Sequence, residues 1–309
     1  MDSLYHDELF IGFRETGEIL MRISHRFLIL ALILVVAELG RPKLAIGQED
    51  SSVFIAQAIG RVASLVRQAG ALIDIGYNEG HSLFGSITRV GASKSLDMQL
   101  FAGNTYIIVA GGDNDALDID LEILGPDRRV VGLDKAPDPN PVVSFQCKRG
   151  GSYLVTMTLH RSRTNSSFCA IAILRKGGWN VPPPNLVKAC AVALGARAVL
   201  ANQGFALKFL DAPNQWCFFG GVVPPGETAR MDKLTLGQGP RVLVSAADDH
   251  CIDLDSYFLE NGNFVRSDED ADAIPILEHF AQNGSDYSHM VKNVKANGAA
   301  LVVTVILSK

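Results

Sequence analysis

Eight aspartates of this 309-residue chain fall into two matching sets that could bind a divalent cation. They are Asp113, Asp118, Asp120, Asp134, Asp248, Asp253, Asp255 and Asp268. On a strand, Asp118 and Asp120 share the face opposite Ile119, so they point outward when the apolar residues enter the core. Grouped carboxylates suit Ca²⁺, which takes six to eight oxygen ligands. The alternative needs no metal, because an aspartate in a turn also accepts hydrogen bonds from nearby backbone amides.

Motifs for other kinds of chemistry are scarce. The sequence contains no Gly-x-Ser-x-Gly elbow, no His-Glu-x-x-His motif and no phosphate-binding Gly loop. We therefore predict no catalytic and no cofactor-binding residues, with a hydrolase assembled from distant Ser, His and Asp residues as an alternative. The aromatic cluster of Trp216, Phe218 and Phe219 would suit a sugar if Trp216 were exposed, whereas core packing is the other interpretation.

The five cysteines leave two interpretations open. In an exported protein they can be oxidised, and Cys147 and Cys169 lie on two late strands of the first half that could be bridged. Alternatively, several of them are small buried apolar residues.

Hydrophobic spacing predicts the elements that position these residues. Ile55, Ile59, Val62 and Val66 recur at intervals of four and three, which indicates a helix. The period then changes to two over eight short segments bounded by Gly, Asn and Asp turns. These segments are 83–87, 96–101, 105–110, 117–124, 130–133, 142–146, 152–159 and 168–174. Such a series is typical of an antiparallel sandwich or jelly roll.

The chain matches itself when it is shifted by 135 residues. Residues 56–130 share 18 identities with their shifted counterparts, whereas chance gives roughly 4 to 5. The Pro-rich segment 179–184 separates the two copies and favours an extended spacer. The predicted fold is therefore mainly β, with two tandem jelly-roll-like antiparallel β-sandwich units, each with an N-terminal α-helix, over residues 48–178 and 185–309.

The N-terminal region has the pattern of an export signal. Arg22 and Arg26 precede the apolar run Phe27–Ala37, and small residues follow at Ala45-Ile46-Gly47, which predicts a signal peptide over 21–47. Residues 1–20 are acidic, so we expect translation to start at Met21 and residues 1–20 not to belong to the protein; a genuine cytoplasmic extension is the alternative. The mature protein is expected to be periplasmic or secreted, without a stable membrane span. Its net charge of −5 disfavours nucleic acid as a partner.

Segments 100–134 and 141–159 resemble the bacterial pre-peptidase C-terminal domain family. The matching residues are Leu100, Ala102, Gly103, Tyr106, Val109, Asp113, Asp118, Asp120, Leu121, Leu124, Asp134, Pro141, Phe145, Gly151, Tyr153 and Val155. The second half matches less well, because Arg241 stands where the first Tyr is expected. The resemblance implies a jelly-roll-like sandwich, often appended to secreted peptidases, that acts in secretion, localisation or binding and has no catalysis of its own.

These observations favour an exported, non-catalytic binding or structural protein. A pair of carbohydrate-binding modules and a hydrolase with a hidden site are the alternatives. The partners compatible with the main prediction are a secreted protein or a cell-surface polymer.

Overall fold

The computed structural model describes residues 51–201, 203–205 and 215–309. The predicted start at Met21 and the signal peptide over 21–47 lie outside these residues. Neither of the helices in the described part is long and apolar enough to cross a membrane.

Strands dominate the described part of the chain, and one helix leads each half. The first half contains α1 (Ser51–Leu72), β1 (Ile75–Tyr77), β2 (Gly80–Arg89), β3 (Ser93–Leu100), β4 (Thr105–Gly112), β5 (Ala116–Leu124), β6 (Val130–Asp134), β7 (Val142–Gln146), β8 (Gly151–Ser162) and β9 (Ser166–Lys176). The second half contains α2 (Pro183–Ala201), β10 (Phe218–Val223), β11 (Thr228–Leu234), β12 (Gly239–Ala247), β13 (Cys251–Glu260), β14 (Asn263–Asp268), β15 (Ile276–Ala281), β16 (Tyr287–Ala296) and β17 (Ala300–Ser308).

Each half has an inner sheet beneath its helix and an outer sheet behind it. In the first half the inner order is β2-β9-β4-β7, with β1 also on β9, and the outer order is β3-β8-β5-β6. In the second half the orders are β10-β17-β12-β15 and β11-β16-β13-β14. The strands pair antiparallel throughout these sheets. The prediction of a mainly β, antiparallel fold is confirmed.

The inner strands are buried on both faces. Along β4, Ile107 and Val109 contribute to the core under the helices, whereas Tyr106, Ile108 and Ala110 contribute to the core between the sheets. This alternation follows from the period of two. Burial of each large aliphatic side chain stabilises the folded state by about 1.5–3 kcal/mol. Because both faces of these strands are buried, their sequences are continuous apolar runs.

The helices bury the stripe that their spacing predicts. Ile55, Ile59 and Val62 of α1 are at most 4% exposed, and Val66 is partly buried against the same core. Helix α2 begins at Pro183, two residues before the predicted start of the second unit at residue 185. Proline is tolerated in the first turn of a helix, because backbone N–H groups there have no intrahelical partner.

The two halves meet where β2 lies beside residues 215–223, a contact that we call the joint. The backbone N–H of Cys217 donates to Gly85 O at 3.2 Å, and Ser86 Oγ donates to Gln215 O at 3.1 Å. A Cβ on Gly221 would lie 1.7 Å from Gly80 O, so this position requires glycine. The cores under the helices and between the sheets both contain residues of the two halves.

Candidate functional site

Asp113 and Asp248 anchor equivalent turns through backbone amides. Asp113 Oδ1 accepts hydrogen bonds from the amides of Asp115 and Ala116 at 3.0 and 3.3 Å, and its Oδ2 accepts from Phe168 N at 2.7 Å. Asp248 repeats the arrangement: its Oδ1 accepts from His250 N at 3.1 Å and its Oδ2 from Leu301 N at 3.3 Å. Each carboxylate therefore ties the start of one strand to a strand distant in sequence.

Asp134 and Asp268 bridge the loop that leaves each outer sheet. In both, Oδ1 accepts from the amide two residues later and Oδ2 from the amide eight residues later. The two longer-range bonds, to Val142 N and Ile276 N, both measure 2.9 Å. Matching lengths at matching positions indicate that the two loops are built in the same way.

Asp118, Asp120, Asp253 and Asp255 lie on β5 and β13, beside bulges in both strands. Asp118 pairs with Arg161 at 3.2 Å and Asp120 with His160 at 3.0 Å. Asp255 Oδ2 accepts a hydrogen bond from Tyr257 Oη at 2.8 Å.

One buried carboxylate oxygen at each bulge, Oδ1 of Asp118 and Oδ1 of Asp253, has no hydrogen-bond partner. Within the described residues no three His, Cys, Asp or Glu side chains are grouped as a metal ion would require. The calcium site stays a prediction, and the hydrogen bonds observed are those of the turn-capping alternative.

Trp216 is not the exposed sugar platform considered from sequence. It is 1% exposed, and its ring lies 5.7 Å from that of Phe84 in the other half. Its Nε1 donates to Ser95 O at 3.2 Å. The indole is buried because residues of the first half cover it at the joint. The sequence pattern of the second half alone does not predict this contact.

A Ser–His pair is present in the second half, but it is enclosed. Ser256 Oγ lies 2.8 Å from His289 Nε2, and the two residues are 1% and 0% exposed. His289 Nδ1 has no hydrogen-bond partner, so a carboxylate does not orient the ring as in a hydrolase triad. In this conformation a substrate cannot reach the hydroxyl.

The five cysteines are free and buried, so the bridge considered between Cys147 and Cys169 is not formed. Cys147 Sγ instead contacts Tyr153 Oη at 3.3 Å. Burial raises the pKa of the Cys217 and Cys251 thiols to about 11. These thiols are therefore neutral at physiological pH and unsuited to nucleophilic chemistry.

A groove of about 370 Å³ opens between α1 and the segment that leads into α2, within the size range of small-molecule sites. Its lining includes apolar Ala63, Val66, Val181 and Leu186, polar Arg67, Asp74 and Asn180, and aromatic Trp179.

Trp179 is 39% exposed, and its backbone is fixed. Its amide and carbonyl exchange two hydrogen bonds of 2.8 Å with Tyr77. A Cβ on Gly76 would lie 2.5 Å from Trp179 O, so the two segments cross at a distance that only glycine permits. An aromatic residue whose backbone is held by hydrogen bonds therefore lines the groove. Sequence reasoning missed this residue because it lies in the segment interpreted as a spacer.

A second cleft of about 340 Å³ opens over the joint and is lined by both halves. Phe101, which is 57% exposed, shares it with Glu79, Arg175 and Glu227. Its charges are mixed, so the cleft favours neither an anion nor a cation.

Neither a protein-family model nor a curated protein matches the chain. Solved structures give weak likenesses. The tandem CBM51 modules of a family 98 glycoside hydrolase from Streptococcus pneumoniae align at 10% identity, covering 72% of this chain and 83% of that one, with a TM-score of 0.21. The major capsid protein P2 from bacteriophage PM2 aligns at 12% identity, covering 74% and 97%, with a TM-score of 0.20. Scores this low carry no argument about fold or function.

Proposed function

We propose that this chain is an exported, non-catalytic binding protein built from a duplicated jelly-roll-like sandwich of the pre-peptidase C-terminal type. Duplication is supported by the equal strand orders of the halves. It is also supported by repeated bonds: Ile119 N donates to Asp138 O at 3.0 Å, and Leu254 N donates to Asp272 O at 2.8 Å. The proposal of export depends on the predicted signal peptide over residues 21–47 alone.

The groove beside Trp179 is the proposed binding site, and the exposure of Trp179 on a backbone held by hydrogen bonds is the observation that supports the proposal. Sugars bind where an aromatic face covers their C–H groups and polar side chains meet their hydroxyls. Trp179, Asp74 and Asn180 supply both kinds of contact in one groove. A sugar unit of a cell-surface polymer is therefore the proposed ligand, and Trp179 takes the role first considered for Trp216.

Binding of the purified chain to a glycan panel tests this function. We expect Trp179→Ala to weaken binding of the best glycan about fivefold or more, because an aromatic contact of this kind is worth roughly 1 kcal/mol or more. Phe264→Ala is the matched control, since Phe264 is 68% exposed and lies outside the groove. Equal affinity of the Trp179 variant and the wild type, or a panel without a ligand, would contradict the proposal.

A further inference from the structure

Two buried histidines from different halves contact the same aromatic ring, that of Phe219 in the joint. His81 of β2 lies edge-on to Phe219, with ring centroids 5.1 Å apart, and His289 of β16 lies 5.6 Å from that ring. His81 is 7% exposed and His289 is 0% exposed. The closed joint therefore brings two ionisable groups into an apolar region.

The two rings are poorly supplied with hydrogen-bond partners. His81 lies against the Gly220 backbone, yet neither of its nitrogens makes a hydrogen bond of normal geometry. His289 Nε2 meets Ser256, while its Nδ1 has no partner. An imidazolium needs a hydrogen-bond acceptor for each of its two N–H groups. The joint therefore accommodates the neutral rings and does not accommodate the cations.

Among the described residues, no carboxylate raises the pKa of either ring. The charged side chains next to β2, on β2 and on the strands packed against the rings are Glu79, Arg89, Lys94, Asp97, His160, Arg161, Arg175, Lys176, Arg230, Asp232, Lys233, Asp253, Asp255, Glu260, Lys292 and Lys295. Arg230 and Asp232 pair with each other near the surface. A charge on His81 would lower the pKa of His289 further, and the buried Lys94 adds positive charge near Cys217.

We propose that His81 and His289 form an acid-sensitive latch in the joint: both rings are neutral while the joint is closed, and their protonation opens it. This inference does not depend on the ligand of the groove. Its direction follows from burial, because a group desolvated in the closed state takes up its proton only when the joint opens.

The size of the effect follows from proton linkage. Burial lowers the pKa of His81 from 6.5 to about 4 and that of His289 to about 3. The open form thus binds more protons, so closure is fully favoured above pH 6.5 and is progressively weakened as the pH falls toward these values. At pH 4.5 each histidine should raise the opening constant roughly 100-fold relative to pH 7.5.

Trp216 provides a reporter inside the joint. The chain has two tryptophans, so Trp179→Phe leaves Trp216 as the single fluorophore. As the pH falls from 7.5 to 4.5, we expect its emission to shift to the red and its quenching by acrylamide to rise while the far-ultraviolet circular dichroism of the strands is retained. Shielding of Trp216 until the strand signal is lost would overturn the latch.

Variants in the same background assign the response. His81→Gln and His289→Gln should each move the opening transition to lower pH, and the second keeps a polar group facing Ser256. His160→Gln, whose side chain is 49% exposed and lies outside the joint, should behave as the parent protein does. If both joint variants opened at the same pH as the parent protein, the proposal would be overturned. If a variant fails to fold, the fluorescence measurement on the parent protein alone tests the proposal.

Discussion

At the Asp113 turn, one carboxylate holds two strands together. Three backbone amides donate to it, and Phe168 N comes from a strand 55 positions further along the chain. The residue is 2% exposed. Both carboxylate oxygens already accept hydrogen bonds, so few of their lone pairs are free to bind a cation.

Asp113→Ala should lower the free energy of unfolding by about 2–4 kcal/mol, since it removes bonds to a charged acceptor and leaves the Phe168 amide buried without a partner. Urea denaturation measures this change. The exposed Asp97, whose carboxylate accepts from Ser152 Oγ at 3.3 Å, provides the control, and Asp97→Ala should change stability by less than about 0.5 kcal/mol. Equal losses in the two variants would mean that the anchor contributes no stability.

The calcium prediction has its own test. If the aspartates act as caps, addition of EDTA or of millimolar Ca²⁺ leaves the melting midpoint unchanged, because the folded state gains no ligand. A site saturated at 100 times its Kd would instead add about 2.7 kcal/mol and raise the midpoint by several degrees. Differential scanning calorimetry separates the two outcomes, and a rise would restore the calcium interpretation.

Among the elements, β2 and β10 approach each other closely at two glycines. Gly221 has no room for a side chain, because the carbonyl of Gly80 occupies the place of its Cβ. Gly60 of α1 is the opposite case, since nothing lies within 4 Å of its Cβ position. The same substitution is therefore expected to have opposite effects at the two glycines.

Gly221→Ala should destabilise the protein by about 3 kcal/mol or more, because the methyl group forces two backbones apart. Gly60→Ala should stabilise it by about 0.5–1 kcal/mol, the ordinary gain at an exposed helix position. Thermal melts of both variants test the joint directly. A Gly221 variant as stable as the wild type would show that β2 and β10 are further apart than described.

Several features follow from the sequence because they depend on local spacing. The stripe Ile55, Ile59 and Val62 predicted α1, and alternation predicted the strands, since burial of one face imposes a period. The amide partner of Asp113 and the burial of Trp216 did not follow. Both depend on which distant segments meet, and a repeat within the sequence describes each half and not the contact between the halves.

Across the whole molecule, the halves share their cores. The apolar cluster under the helices joins Leu83 and Phe168 of the first half to Phe218 and Val222 of the second. Separating the halves would expose these side chains together with Phe84 and Trp216. Each half is therefore expected to be less stable alone than in the whole chain.

Residues 49–182 expressed alone should self-associate or unfold at least 10 °C below the whole chain, because the β2 edge and its apolar neighbours lose their cover. Light scattering and thermal melts of the fragment measure both effects. Mixing it with residues 183–309 should restore a single complex. A monomeric fragment that melts with the full chain would contradict the shared core.

The joint also bears on the ancestry of the chain. Under the 135-residue shift, His81 aligns with Trp216, and both residues lie at the contact between the halves. Two identical chains associating through this strand would carry the same residue on each side, so a single mutation would alter both sides at once. Under the proposed duplication, a fused chain is free of that constraint, because a mutation then changes one side alone, and one copy can hold a titratable ring where the other holds an indole.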